Sequence, residues 1–223
     1  ATHIGVGAFD STNFPSTGPL STAAVIYVSN GNDQRVVLSV GAPTYEWTAF
    51  GGITDDSERD WSVPENWTGV TEPAAGNDAY VNGSHTAVVF NAEEVDDLFI
   101  GSDNAPTTGG NPSGTLHIIA GSLTVTNLFL GDDADDEGVV LVTNGSLLVR
   151  TDMLVGDDGI GHLTISNSAD VDVIDELIVG DADDGVEGIG SIALQHGGTV
   201  DVEFLRLGRL TDAAGDYTIT NGE

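Results

Sequence analysis

The segment LFLGDDADDEGVVLVTNGSLLV, residues 128–149, decides the fold. It contains three short apolar runs, each long enough for one strand. Gly131 and a group of acidic residues separate the first two runs, and Asn144-Gly145 separates the second from the third. Three strand-like runs with turn residues between them, in so short a segment, do not fit a helix.

The same three-run unit recurs through the second half of the chain. Its first run, an apolar-x-apolar-Gly motif, begins at residues 98, 128, 153, 177 and 205. Units of 24 to 30 residues that differ in length at one acidic loop are typical of the coils of a parallel β-solenoid. The sequence therefore predicts an all-β protein, with a parallel β-helix of about five coils over residues 96–223. The residues expected to point into the core of the first coil are Leu98, Ile100, Leu116, Ile118, Leu123 and Val125.

The composition restricts the possible partners. The formal net charge is −31, with five arginines and no lysine. Nucleic acids and anionic membrane surfaces bind basic proteins, so this composition argues against both. No apolar run reaches 18 residues, so we expect no membrane insertion. The charge is compatible with cation binding or with a surface kept soluble by repulsion.

The acidic loops all follow the aligned glycine, so they should leave the solenoid at one corner and stack. Unit charges one coil apart repel by about 1 kcal/mol even in bulk water. Either salt screens these charges in splayed loops, or divalent cations, most plausibly Ca²⁺, bind between the coils. Under the second alternative the expected ligands directly follow the glycines: Asp132, Asp133, Asp157, Asp158, Asp181 and Asp183.

An apolar stripe is expected on the outer surface. The middle residue of the apolar-x-apolar-Gly motif should point outward, and in four coils it is Phe99, Phe129, Leu154 or Ile178. A contiguous apolar ridge is usually covered in soluble proteins. Either residues 1–95 fold back over it, or it is a lateral interface with another subunit.

The N-terminal part has a different character. Residues 1–45 form a predicted β-strand region that could take part in assembly, with a hairpin around Asn30-Gly31-Asn32-Asp33. Residues 46–95 are a tryptophan-rich segment containing Trp47, DWSVPENW at 60–67 and NDAYV at 77–81.

This segment resembles the entry segment that precedes the β-helix repeats of large bacterial surface proteins, including autotransporter-like passengers. The Asn-Gly coils that follow it resemble the repeats of the same proteins. The resemblance implies that Trp61, Trp67 and Asn66 are cap and packing residues. The alternative is that Trp47, Trp61 and Trp67 bind sugars.

The sequence favours a structural role over catalysis. Polysaccharide lyases of this fold class need cationic groups and a base, but lysine is absent and the arginines are scattered. The sequence ends within a coil, so either the solenoid continues or its open end stacks on another subunit, head to tail. We expect a secreted protein that self-assembles into an extracellular filament, sheath or surface layer, stiffened by calcium. The alternative is an adhesin or carbohydrate-binding stalk that contacts cell-surface polysaccharide.

Overall fold

The computed structural model describes residues 23–30, 33–40, 44–47, 60–68, 71–83, 86–105, 112–181, 188–208 and 213–220. The chain divides into two compact units, Ala1–Gly41 and Ala42–Glu223. The first unit contains an antiparallel hairpin of β1 (Ala23–Asn30) and β2 (Asp33–Val40), in which Asn30 is paired with Asp33. The predicted hairpin is therefore confirmed.

The second unit is a stack of parallel strands. Its strands are β3 (Thr44–Glu46), β4 (Asp78–Val81), β5 (Thr86–Val89), β6 (Ala92–Glu94), β7 (Asp97–Ile100), β8 (Ser113–Ile118), β9 (Ser122–Val125), β10 (Asn127–Leu130), β11 (Glu137–Thr143), β12 (Ser146–Val149), β13 (Asp152–Asp157), β14 (Ile160–Ser166), β15 (Asp170–Asp181), β16 (Ile189–Gln195), β17 (Thr199–Leu207) and β18 (Ala214–Thr220). A short 3₁₀ turn, Pro64–Asn66, precedes β4. The described residues contain no helix with the length and apolarity needed to cross a membrane.

The strands of the second unit line three faces. The first face runs β3-β4-β7-β10-β13 and continues into the second halves of β15 and β17; the second runs β5-β8-β11-β14-β16-β18; the third runs β6-β9-β12 and continues into the first halves of β15 and β17. All these pairings are parallel, which confirms the predicted β-solenoid of about five coils. The register shifts between Val173 and Glu176, where β15 passes from the third face to the first.

The core lies between the three faces. Along β7 to β12 and up to Val155 of β13, buried residues alternate with half-buried or exposed ones, as the period of two in a strand requires. All six residues predicted to point inward in the first coil are fully buried. In-register pairing places residues of similar shape above one another, as in the column Leu98, Leu128, Met153 and Leu177.

The parallel ladders begin earlier in the chain than residue 96, the start that the motif suggested. Strand β4 already pairs with β7, β5 with β8 and β6 with β9, so these three strands supply one strand to each face, as a complete coil does. The motif is hidden in this coil because Asn82 stands where later coils have the aligned glycine, one residue beyond the pair Val81 and Ile100. The buried side chain of Asn82 donates to Ser102 O (2.8 Å) and accepts from Ser102 N–H (3.0 Å).

The aligned glycines are required by the backbone at this corner. Gly101, Gly131, Gly156, Gly180 and Gly208 all have positive φ, between +62° and +78°. A Cβ at Gly131 would lie only 2.4 Å from Ile160 O in the next coil. Positive φ and close backbone approach each exclude an ordinary side chain. The repeat of glycine in the sequence is thus explained by the turn between the first and second faces.

Candidate functional site

The loops that connect the first face to the second meet at one edge of the solenoid, which we call the acidic corner. Within the described residues it comprises the segments after Gly101, Gly131, Gly156 and Gly180. Because each loop starts from a strand paired in register with the next, the described residues directly after the aligned glycines lie above one another.

Three carboxylates of the acidic corner come together. Asp103, Asp133 and Asp136 each place one oxygen so that the three atoms lie within 4.8 Å of one another. Asp103 and Asp133 are both the second residue after the aligned glycine, in consecutive coils. No other group of three acidic, histidine or cysteine side chains in the described residues is this compact.

A tight turn brings Asp136 into this group. Asp136 N–H donates to Asp133 O at 3.0 Å, and the intervening Asp135 has a left-handed backbone with φ +70°. The Asp136 side chain is only 1% exposed. Its Oδ2 accepts the N–H of Asp103 at 3.0 Å, whereas its Oδ1 is buried and accepts no hydrogen bond. A buried carboxylate oxygen without a partner is costly, so this position calls for a cation or a proton.

Polar side chains from the preceding loop hold the acidic corner in place. Ser102 Oγ and Asn104 Nδ2 both donate to Asp132 Oδ2, at 2.9 and 2.8 Å. Asn104 Nδ2 also donates to Asp133 Oδ2 at 2.8 Å. These bonds join residues of two coils, and Asn82 links Ser102 to a third. The carboxylates are therefore positioned by a network rather than by single contacts.

The crowding of negative charge perturbs two of these groups. Burial raises the pKa of Asp133 to about 6, with further contributions from its contact with Asp103 and from the charges of Asp103, Asp132 and Asp158. Burial also raises the pKa of Asp136 to about 6, because the N–H of Asp103 offsets only part of the effect of burial and of nearby charges. Both carboxyl groups are thus harder to ionise than in water.

The six aspartates that the sequence singled out have different surroundings. Asp133 belongs to the compact group, and Asp132 lies beside it in the hydrogen-bond network. Asp157 and Asp181 are paired in register on β13 and β15, and Asp158 has φ +60°. Asp183 lies outside the described residues.

Two members of the compact group, Asp103 and Asp136, were not among the expected ligands. The offset from the aligned glycine, which Asp103 shares with Asp133, was a usable signal for Asp103. The position of Asp136 depends on the turn from Asp133 to Asp136, which no motif in the sequence predicts.

The apolar stripe forms a continuous ladder on the first face. Phe99, Phe129, Leu154 and Ile178 are paired in register from coil to coil. Tyr80 extends the ladder by one coil: its ring stacks on Phe99 at 4.6 Å, and Phe99 stacks on Phe129 at 4.8 Å. Each ring covers a face of the next, so these side chains are half-buried rather than freely exposed, and Ile178 is only 3% exposed. Whether another subunit packs on this ladder stays a prediction.

The three tryptophans form a buried cluster at the amino-terminal end of the solenoid. Trp47 and Trp61 each pack edge to face on Trp67, with ring centroids 5.0 and 4.5 Å apart. Trp67 Nε1 donates to Trp61 O at 2.7 Å. The backbone N–H groups of Trp47 and Trp61 donate to Tyr80 O and Val88 O, respectively, and these bonds attach the cluster to the first complete coil. None of the three side chains is more than 2% exposed.

The opposite end of the solenoid has a different character. In the last coil that the structure describes, which contains β17 and β18, Leu205 and Leu207 are 43% and 47% exposed. They are paired in register with Leu177 and Val179, which are fully buried. Among the described residues, β17 pairs only with β15 and β18 only with β16. Within the part of the chain that the structure describes, core positions and strand edges are therefore both uncovered in this coil.

Comparison with known proteins adds no assignment. No family model, curated protein or solved structure matches the chain.

Proposed function

We propose that this chain is a structural protein of the extracellular space or cell surface, whose solenoid stacks end to end on further copies to build a filament, sheath or layer. The observation that carries the proposal is the exposure of core positions on β17, the last strand of the first face among the described residues. Leu205 and Leu207 occupy core positions, yet nearly half of each side chain is exposed.

A further coil of parallel strands is the partner that fits this end. It would bury the exposed core positions and pair the free edges of β17 and β18. At the amino-terminal end the tryptophan segment covers β5, whereas β6 pairs only with β9 among the described residues and so offers one free edge. Contact between unlike ends is heterologous and does not close, so it generates filaments.

The other features are consistent with a scaffold. The buried tryptophan cluster suits the cap role implied by the resemblance to autotransporter-like surface proteins, and we extend that resemblance to an extracellular location. A net charge of −31 opposes non-specific aggregation. The alternative of a carbohydrate-binding stalk relies on tryptophans that are at most 2% exposed and so cannot stack on a sugar in this arrangement.

The proposal is tested by self-association of the purified chain. Sedimentation velocity over a range of concentrations should show growth in mass, and negative-stain electron microscopy should show filaments. Replacing Leu205 and Leu207 together by Glu should abolish this growth, because it places charges on the contact surface. Ile174→Glu is the matched control, since Ile174 is an exposed apolar residue (56%) at the bend of β15. A monomer at every concentration, or equal effects of both changes, would contradict the proposal.

A further inference from the structure

Two independent observations at the acidic corner point to a bound ion. The first is the convergence of three carboxylate oxygens, from Asp103, Asp133 and Asp136, within 4.8 Å of one another. Ca²⁺–oxygen distances are about 2.4 Å, so oxygens up to about 4.8 Å apart can contact the same ion. The second is Oδ1 of Asp136, a carboxylate oxygen that is buried without a hydrogen-bond partner.

We infer that Asp103, Asp133 and Asp136 bind one Ca²⁺ ion between the loops of two successive coils. The inference rests on this geometry alone and does not depend on self-assembly. The ion would offset two of the three negative charges in this group, which contains no basic residue, and it would give the buried carboxylate of Asp136 a further partner. It would also connect Asp103 to residues 30 and 33 positions further along the chain.

The ligand chemistry selects the metal. All three side chains offer hard oxygen ligands, and the group contains neither histidine nor cysteine, so zinc and copper are poorly served. Ca²⁺ accepts irregular sets of six to eight oxygens and completes its shell with water, whereas Mg²⁺ demands near-ideal octahedral geometry. Ligands drawn from two loops with different backbone shapes suit the more tolerant ion.

The next coil cannot repeat the site. Between Gly131 and Gly138 the chain has six residues, which leaves room for the turn that carries Asp136. Between Gly156 and Gly161 it has only four, Asp157, Asp158, Gly159 and Ile160, and none of these corresponds to Asp136. We therefore expect one ion at this pair of loops rather than a continuous row.

Calorimetric titration of metal-free protein with CaCl₂ tests the inference. We expect about one ion per chain at this site, with a Kd on the order of 0.1–1 mM, as in extracellular calcium modules. In thermal melts the melting temperature should rise by roughly a few degrees in about 10 mM Ca²⁺. Mg²⁺, or NaCl at the same ionic strength, should give a smaller rise.

Variants separate a built site from general screening of charge. Asp136→Asn should weaken calcium binding at least about tenfold, because it removes one of few charged ligands. Asp103→Asn, a change at an exposed ligand, should do the same and protects the test against misfolding of the first variant. Asp135→Asn removes the same charge from the same loop, but outside the group, and should leave binding unchanged. Equal effects of Asp135→Asn and Asp136→Asn, or equal shifts with Ca²⁺ and NaCl, would overturn the inference.

Discussion

Replacing Gly131 by Ala tests how far the solenoid depends on the aligned glycine. Gly131 has φ +62°, a conformation that costs an L-residue about 1–2 kcal/mol. The added Cβ would also lie 2.4 Å from Ile160 O and 2.6 Å from Ile160 N. Both atoms belong to the backbone of the next coil, so no side-chain rotation can relieve the contact.

The size of the steric effect follows from the required movement. Ordinary contact begins at 3.4 Å, so the chain at Ile160 must move by up to about 1 Å. The hydrogen bonds from Ile160 N–H to Asp136 O (2.8 Å) and from Gly159 N–H to Gly131 O (3.1 Å) lie in the path of that movement. Losing one or both costs about 0.5–1.5 kcal/mol each. Together with the backbone term, we expect a loss of about 1.5–5 kcal/mol in the free energy of unfolding.

Gly76→Ala is the matched control. Gly76 also has positive φ (+82°), but a Cβ there would meet no atom within 4 Å. It should lose only the backbone term of about 1–2 kcal/mol. Both variants are to be compared with the wild type by urea unfolding in EDTA, which removes any contribution of a metal. Equal losses in the two variants would refute the claim that close approach of the next coil fixes the glycine.

Two further substitutions test other parts of the solenoid. Burial, with the charges of Glu72 and Asp60, raises the pKa of Glu93 from 4.5 to about 6. Near these pH values the folded state therefore binds more protons than the unfolded state. This contribution to stability is lost as the pH rises from about 4.5 through about 6. Glu93→Gln should accordingly gain stability relative to the wild type between pH 5 and pH 7 in thermal melts, and a constant difference would contradict this reasoning. Asn82→Ala should reduce the free energy of unfolding by about 2–4 kcal/mol, because it leaves the backbone N–H and C=O of buried Ser102 without these partners. A loss below about 1 kcal/mol in urea unfolding would show that the side chain is dispensable.

The sequence was informative about the coils because the repeat has a direct physical cause. Core alternation and the corner glycine recur in each unit, since every coil meets the same neighbours above and below. This gave the strands, the inward residues such as Leu116 and Val125, and the positions of the turns. The motif did not reveal the first coil, because that coil has Asn82 in place of the aligned glycine. Ser102 N–H donates to the side chain of Asn82, whereas in the next coil Asp132 N–H donates to the backbone oxygen of Gly101.

The compact acidic group was only partly predictable. Proximity to the aligned glycine identified Asp133, and the same rule applied one coil earlier leads to Asp103. Asp136 could not be found in this way, since its place depends on the left-handed backbone of Asp135 and on the hydrogen bond from Asp103 N–H to its side chain. Five neighbouring acids look equivalent as letters, and only the folded turn distinguishes the buried one from the exposed ones.

Each loop at the acidic corner lies between two glycines, such as Gly131 and Gly138, and its length does not alter the pairing of the strands on either side. One glycine marks where the chain leaves the first face and the other marks where it enters the second, and the ladders keep both in register. The loops between the two glycines contain twelve, six, four, nine and six residues in successive coils. The corner thus behaves as a cassette site, where insertions and deletions can be exchanged without disturbing the frame. Such a frame can carry loops of different lengths, or loops grafted by design, at one corner of the solenoid while the core stays the same.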